Sequence, residues 1–297
     1  MLRVVVPATS ANLGPGFDCL GLALEVANES VFAWADRDAA EVEGEGAECL
    51  PRDASHLSLQ ALRHGLSALG VKDARPVALR QINRIPLSRG MGSSAAAIVA
   101  GLAAARAFAG FPDDPAWLLT HANALEGHPD NVAAAIYGGC TAAWPDGVDA
   151  RCTSLSFPRG LNVALAIPAF QVSTEKAREA LPAAYPLADV SFSLSRAALL
   201  VAALAGGDFE ALEFAVEDRI HTPYRARLIP GFEEARAAAR EAGARGTFIS
   251  GSGPTVASFV PPGVDAERVA AAMAAVFPEA RAVATRISPT GVRCSAV

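Results

Sequence analysis

The chain has 297 residues, of which 52% are hydrophobic and 19% charged, with a formal net charge of −6. That length supports one large or two medium domains around a substantial core. The acidic balance argues against a general nucleic-acid binder, which needs a basic surface for the phosphate backbone. Five cysteines, Cys19, Cys49, Cys140, Cys152 and Cys294, are odd in number and lack C-x-x-C spacing. Neither a disulfide framework nor a zinc site is indicated, and a reducing cytoplasm fits. The apolar run after Met1 is too short for a signal peptide and no run is expected to span a membrane, so a soluble cytoplasmic protein is expected.

In chain order, Leu2 to Val6 reads as a buried strand ending at Pro7, and Leu20 to Glu25 with Ser30 to Ala35 as a hairpin-like continuation. Helical periodicity over Ser55 to Leu69 precedes a strand at Val77 to Ile82. A glycine-rich loop opens a helix through Ala95 to Phe108, and Asp114 stands where it caps a second helix over Ala116 to Glu126. Tyr137 to Trp144 returns to strand. The polar, irregular stretch from Asp146 to Phe157 reads as the boundary between halves, giving domains of residues 1–155 and 156–297. The second half restarts with a strand at Leu161 to Ile167, and helices are expected near Thr174 to Leu181, Ser191 to Ala205, Phe209 to Val216 and Phe232 to Ala242. Strands at Gly246 to Ser250 and Val256 to Val260, a helix at Ala266 to Phe277 and a closing strand at Arg281 to Ile287 follow. The mixture implies two α+β domains with antiparallel sheets.

The stretch Pro86, Leu87, Ser88, Arg89, Gly90, Met91, Gly92, Ser93, Ser94, Ala95 and Ala96 leads straight into an alanine-rich helical run. Gly90 and Gly92 lack a Cβ, so the backbone there can approach a bulky anion. The first N–H groups of the helix behind them have no intrahelical partners and sit at the positive end of its dipole, which suits a polyphosphate. The plain alternative is a glycine turn before a core helix. The same residues fit the G-x-G-x-x-A dinucleotide pattern, but that pattern needs a second parallel strand where this chain has another helix. A Walker-type loop needs a lysine, and the only lysines are Lys72 and Lys176.

Three companion motifs flank the cradle. Asn12 and Asp18, in the loop from Pro7 to Asp18, offer a neutral amide and a carboxylate to a zwitterionic or hydroxylated substrate, or merely cap local turns. Glu126 ends the helix expected over Ala116 to Glu126, ahead of His128, Asp130 and Asn131, and a carboxylate there with a cradle serine suits Mg²⁺, a hard cation usually held by few carboxylates plus phosphates. Gly251 and Gly253 in a turn between two strands permit close approach to a ligand or to the cradle.

Taken in this order and position, these motifs resemble those of the GHMP kinases, and within them the homoserine kinases, through 7–18, 126–131, 172–178 and 223–230. The resemblance implies a two-domain GHMP kinase fold, with a ribosomal protein S5 domain 2-like first half and a ferredoxin-like second half. It further implies ATP-dependent phosphorylation of the L-homoserine hydroxyl, with ATP and Mg²⁺, in threonine biosynthesis, and a homodimer as the assembly. On it, Pro86 to Ala96 hold the phosphates, and Ser94, or else Ser93, binds Mg²⁺ with Glu126. Asn12, Asp18, His128, Asp130, Asn131, Thr174, Arg178, Arg225 and Gly251 surround homoserine, and Asn131, Arg178 and Glu126 serve catalysis. Arginine suits the carboxylate through its fork, and Asp18 or Asp130 suits the ammonium. Arg225 is preferred to Arg227 for this role. Several relatives in the superfamily use an aspartate base where Asn131 stands, so alignment and charge neutralisation are expected to drive the reaction. Met91 replaces the family's usual leucine. His56 stands where an asparagine commonly helps hold adenine, and is assigned to the nucleotide. Another GHMP kinase, for mevalonate, a sugar or shikimate, and a non-catalytic amino-acid sensor are the rival readings.

Overall fold

The computed structural model describes residues 1–71 and 74–297. Two sheets organise it. The first has seven strands: β1 (Leu2–Asn12), β2 (Gly16–Trp34), β3 (Ala39–Gly44), β4 (Val77–Asn83), β5 (Cys140–Asp146), β6 (Asp149–Leu155) and β11 (Arg293–Ala296). Its path runs β11-β1-β2-β4-β3, with β5 and β6 branching from β2. The second is the antiparallel sheet β10-β7-β9-β8, from β7 (Asn162–Ile167), β8 (Thr247–Ile249), β9 (Val256–Val260) and β10 (Arg281–Arg286).

The segments expected as a hairpin-like pair at 20–25 and 30–35 are one 19-residue strand, β2. Its two halves serve different partners, Leu20–Leu22 facing β5 and Glu29–Trp34 facing β4. β1 likewise runs on through Pro7, with an irregularity between Pro7 and Ala8 in its pairing to β2. There the missing proline N–H costs least, because a bulge already breaks the ladder. β3 lies parallel to β4, so the first sheet is mixed. The stretch around 146–157 carries β6, which among the described residues pairs with β5 alone. The last strand is β11, which returns to pair with β1, so the first sheet draws residues from beyond the boundary at 155/156.

Helices α1 (Leu57–Ala68), α2 (Ser93–Phe108), α3 (Pro115–Glu126) and α4 (Pro129–Tyr137) pack with the first sheet. α2 is buried along most of its length, and small residues let it approach α1 closely: a Cβ on Gly101 would meet the Ser58 carbonyl at 2.2 Å. Asp114 caps α3, accepting the Trp117 N–H at 3.0 Å. In the second half lie α5 (Thr174–Glu179), α6 (Leu187–Gly206), α7 (Phe209–Ala215), α8 (Thr222–Arg225), α9 (Phe232–Glu241) and α10 (Ala266–Ala274). A second core forms where α9 and α10 cover the β10-β7-β9-β8 sheet, around Phe232, Ile249, Val260 and Met273. By length and composition α6, of 20 residues, is apolar enough to cross a membrane, with mean hydropathy 1.6 over its most apolar 18-residue window, which corrects the expectation that no segment reaches that threshold. Leucines and valines supply most of that hydropathy, while Asp189 and Arg196 on the same helix pair with Arg219 and Glu217.

Candidate active site

A cavity of about 480 Å³ opens where the loop ahead of α2, the β1–β2 loop, the α3–α4 junction and the second half converge. The residues from Pro86 to Ser94 line it, together with Asn12, Asp18, His56, Glu126, His128, Asp130, Asn131, Thr174, Arg178, Arg225 and Gly251. Ala95 and Ala96 do not. Both are buried in the core, because each residue of a helix turns about 100° from the last, and Ala97 is the next to face the cavity.

Gly92 is the N-cap of α2, and the first amide to close a helical turn is that of Ala96, onto the Gly92 carbonyl at 2.9 Å. The N–H groups before it therefore have no partner within the helix. The loop is held from the second half: Ser250 Oγ donates to the Gly90 carbonyl at 2.6 Å, and a Cβ on Gly90 would meet the Ser250 carbonyl at 2.1 Å. With φ at +71°, Gly90 is at a position where any side chain is both strained and blocked. Arg89 is committed to backbone carbonyls, donating to Pro168 at 2.9 Å, to Leu87 at 3.1 Å and to Ala169, which ties the cradle to the segment just beyond β7 in the second half rather than freeing a cation for the cavity. His56 caps α1. Its Nδ1 accepts the Ser58 N–H, so the proton of the neutral ring is on Nε2, which has no partner among the described residues. Burial lowers its pKa and favours that neutral form.

At the end of α3, Glu126 accepts a hydrogen bond from Ser94 Oγ at 2.6 Å, joining the two helices that flank the cradle. Burial, with a contribution from Asp130, raises the Glu126 pKa against the lowering effect of Ser94 and His128. Two oxygen donors from separate helices form the kind of set a hard cation takes, with phosphate and water completing its shell. No cluster of three His, Cys, Asp or Glu side chains that could hold a metal without such help occurs among the described residues.

The short helix α4 presents Asp130 and Asn131 from its first turn. Asp130 accepts the Asn131 N–H at 2.8 Å and pairs with His128 Nδ1 at 2.8 Å. Burial opposes protonation of His128, yet the bond to Asp130 and the charges of Asp130, Glu126 and Asp18 outweigh it and raise its pKa. Asn131 Oδ1 accepts from Thr9 Oγ at 2.7 Å, leaving its NH₂ as the free end of the amide. Opposite, Arg178 of α5 grips Asp18 through both guanidinium nitrogens at 2.8 and 3.0 Å. Arg225 is buried, donating to the Gly251 carbonyl at 3.0 Å, and Asn12 Nδ2 donates to the same oxygen at 2.9 Å. Arg227 is exposed, over the Tyr224 ring and off the cavity.

Sequence reasoning missed Leu50, Pro51, Ser55, Leu57, Gln81, Asn83, Ala97 and Ser252 in the lining. Gln81 and Asn83 had a readable signal, since the alternation of β4 puts both on the buried face with Val77 and Leu79. Two amides at core positions of a strand are out of place unless a ligand or a turn needs them.

Comparison with known proteins agrees with this geometry. Residues 56–139 match the GHMP kinases N terminal domain and residues 200–279 the GHMP kinases C terminal domain. A homoserine kinase of Gloeobacter violaceus is 46% identical over 98% of this chain and 97% of its own. The chain belongs to the homoserine kinase family. A Thermus thermophilus homoserine kinase is 45% identical over 94% of both chains. The crystal structure of homoserine kinase from Cytophaga hutchinsonii superposes with a TM-score of 0.88 at 28% identity, covering 99% of this chain and 97% of the other. A mevalonate kinase structure at 12% identity and TM-score 0.74 shares the fold alone.

Proposed function

We propose that this chain transfers the γ-phosphoryl group of ATP to the side-chain hydroxyl of L-homoserine, giving O-phospho-L-homoserine and ADP in a cytoplasmic route to threonine. The observation that carries the reading is the juxtaposition in one cavity of an anion-suited helix N-terminus with the Asp18–Arg178 pair and buried Arg225. A zwitterionic acceptor replaces one ion pair with two, its carboxylate on the arginines and its ammonium on Asp18 or Asp130. Mevalonate, sugars and shikimate have no ammonium to offer, so they leave the carboxylates unpaired. Family membership supports the same substrate.

In the proposed reaction the acceptor oxygen forms a bond to the γ-phosphorus as the bond to the bridging oxygen breaks, and the hydroxyl proton leaves to a phosphate oxygen or water. Glu126 and Ser94 are assigned to hold Mg²⁺, which when bound neutralises charge on the β- and γ-phosphates. The amides opening α2 supply N–H donors to the same oxygens. Asn131 cannot take a proton at neutral pH, and the Thr9 bond to its Oδ1 turns the NH₂ toward use as a donor. Alignment and charge neutralisation thus serve where a general base is lacking. Asn131→Asp is expected to lower kcat by about tenfold or more, because a new anion faces the transferring phosphoryl; a rate gain that titrates with pH would establish a base mechanism instead. We assign a homodimer as the assembly, on family grounds alone.

The deciding experiment is ADP release with MgATP and L-homoserine, mevalonate, galactose, shikimate or no acceptor. Turnover with homoserine alone is expected. Turnover with another acceptor overturns the substrate, and absence of turnover with all of them points to a sensor.

A further inference from the structure

The loop carrying Asn12 and Asp18 holds Leu13 in a backbone conformation that leucine does not favour. Asn12, Leu13 and Asp18 have φ of 69°, 50° and 53°, and Gly14 among them has 86°. Asn and Asp enter the left-handed region with modest cost, but a leucine persists there only where its surroundings over-determine it. Here the surroundings are the segment from Val216 to His221, just ahead of α8. A Cβ on Gly14 would meet the Val216 carbonyl oxygen at 2.2 Å, so the two backbones touch directly.

His221 sits at the centre of that contact. It is fully buried, its Nε2 lies 2.7 Å from the Gly14 carbonyl, and its ring stacks on Phe17 with centroids 5.2 Å apart. A carbonyl only accepts, so Nε2 carries the proton and donates. Phe17 in turn lies under the guanidinium groups of Arg178 and Arg225, at 5.6 and 5.1 Å. The backbone of His221 is fixed by Asp218, whose carboxylate accepts the N–H groups of Ile220, His221 and Thr222 at 2.8–2.9 Å and the Ser193 hydroxyl of α6 at 2.9 Å. His221 itself does not line the cavity.

We infer that His221 is a positioning residue for the acceptor: through Gly14 and Phe17 it holds the strained loop at the height where Asn12 and Asp18, with the two arginines, meet the substrate. The hydrogen bonds and the stacked ring of His221 reach Asp218, Gly14 and Phe17 rather than the nucleotide cradle, so its effect is expected on the acceptor. This rests on the acceptor roles proposed above for Asn12 and Asp18.

The test compares His221→Phe, which keeps a ring against Phe17 but cannot donate, with His221→Gln, whose amide nitrogen reaches the position of Nε2. His221→Phe is expected to raise KM for homoserine about tenfold with KM for MgATP within about twofold of wild type, and His221→Gln to recover most of the loss. Unchanged KM for homoserine, a parallel rise in both KM values, or a Gln variant as impaired as Phe overturns the inference. Should His221→Phe fail to accumulate as folded protein, Ser193→Ala, which loosens Asp218 without touching the loop, is judged by the same contrast. A wild-type enzyme that turns over a different acceptor displaces the homoserine reading, and the contrast is then measured on that acceptor.

Discussion

Replacing Glu126 with Gln is expected to lower kcat by about a thousandfold or more, roughly 4 kcal/mol of transition-state stabilisation, while the protein stays folded. The substitution isolates charge from shape. A glutamine fills the same volume at the end of α3 and its carbonyl still accepts the Ser94 hydroxyl, which Glu126 holds at 2.6 Å. What disappears is the negative charge on which the proposed Mg²⁺ assignment depends, since a hard cation is gripped by carboxylate oxygen far better than by an amide. Folding should not suffer, because burial already makes the ionised carboxylate costly there, as its raised pKa indicates. That raised pKa also sets a pH dependence. Above it the carboxylate is ionised; as pH falls through it a proton competes with the cation, so the magnesium concentration needed for half-maximal rate rises on acidification. In the Gln variant that drift vanishes. Steady-state rates across magnesium concentration and pH, beside thermal unfolding curves, measure all three; a Gln variant within about tenfold of wild type removes Glu126 from the metal site.

The parts of this enzyme that were legible in its sequence are those where local pattern and final environment agree. β9 occupies the expected 256–260, and α3 begins with the proline that follows its expected aspartate cap. The sequence misled wherever partners distant in the chain decide the outcome. β2 looks like two strands because its middle, from Val26 to Glu29, is polar enough for a turn, but it is held as one strand by β1 along one side, across the irregularity at Pro7 and Ala8, while β4 and β5 share the other. α4 has too few residues to display a period and is buried on nearly every face, so nothing in its composition separates it from a core strand. β6 lies at an edge with alternate residues exposed and only one partner, and reads as an irregular link.

The site divides in the same way. Glycine, serine and acidic motifs are local and were readable; their mutual geometry was not. Nothing near Asn131 announces that Thr9, more than a hundred residues earlier, accounts for its carbonyl oxygen. Likewise Gly251 was readable as a turn, but only the fold shows one carbonyl there receiving both Asn12 and Arg225. That single acceptor ties an element of the first half to one of the second, and the cavity is the space left between them.

Arg178→Met is expected to lower kcat/KM for homoserine by about a hundredfold to a thousandfold with little change in KM for MgATP. Methionine keeps an unbranched stem, so packing along α5 is largely retained, while the guanidinium fork is lost. Two consequences of that loss add. The acceptor carboxylate loses a bidentate, charge-assisted partner, and Asp18, which accepts from Arg178 at 2.8 and 3.0 Å, is left without its cation. Arg225 cannot fill the place, because it is buried and engaged with the Gly251 carbonyl. The two consequences separate with 3-aminopropan-1-ol, which retains the hydroxyl and ammonium of homoserine but has no carboxylate. The wild-type enzyme should strongly prefer homoserine to the amino alcohol, and Arg178→Met should lose most of that preference by slowing on homoserine alone. A variant that slows equally on both acceptors would mean that Arg178 serves only to hold Asp18, and the carboxylate would then belong to Arg225.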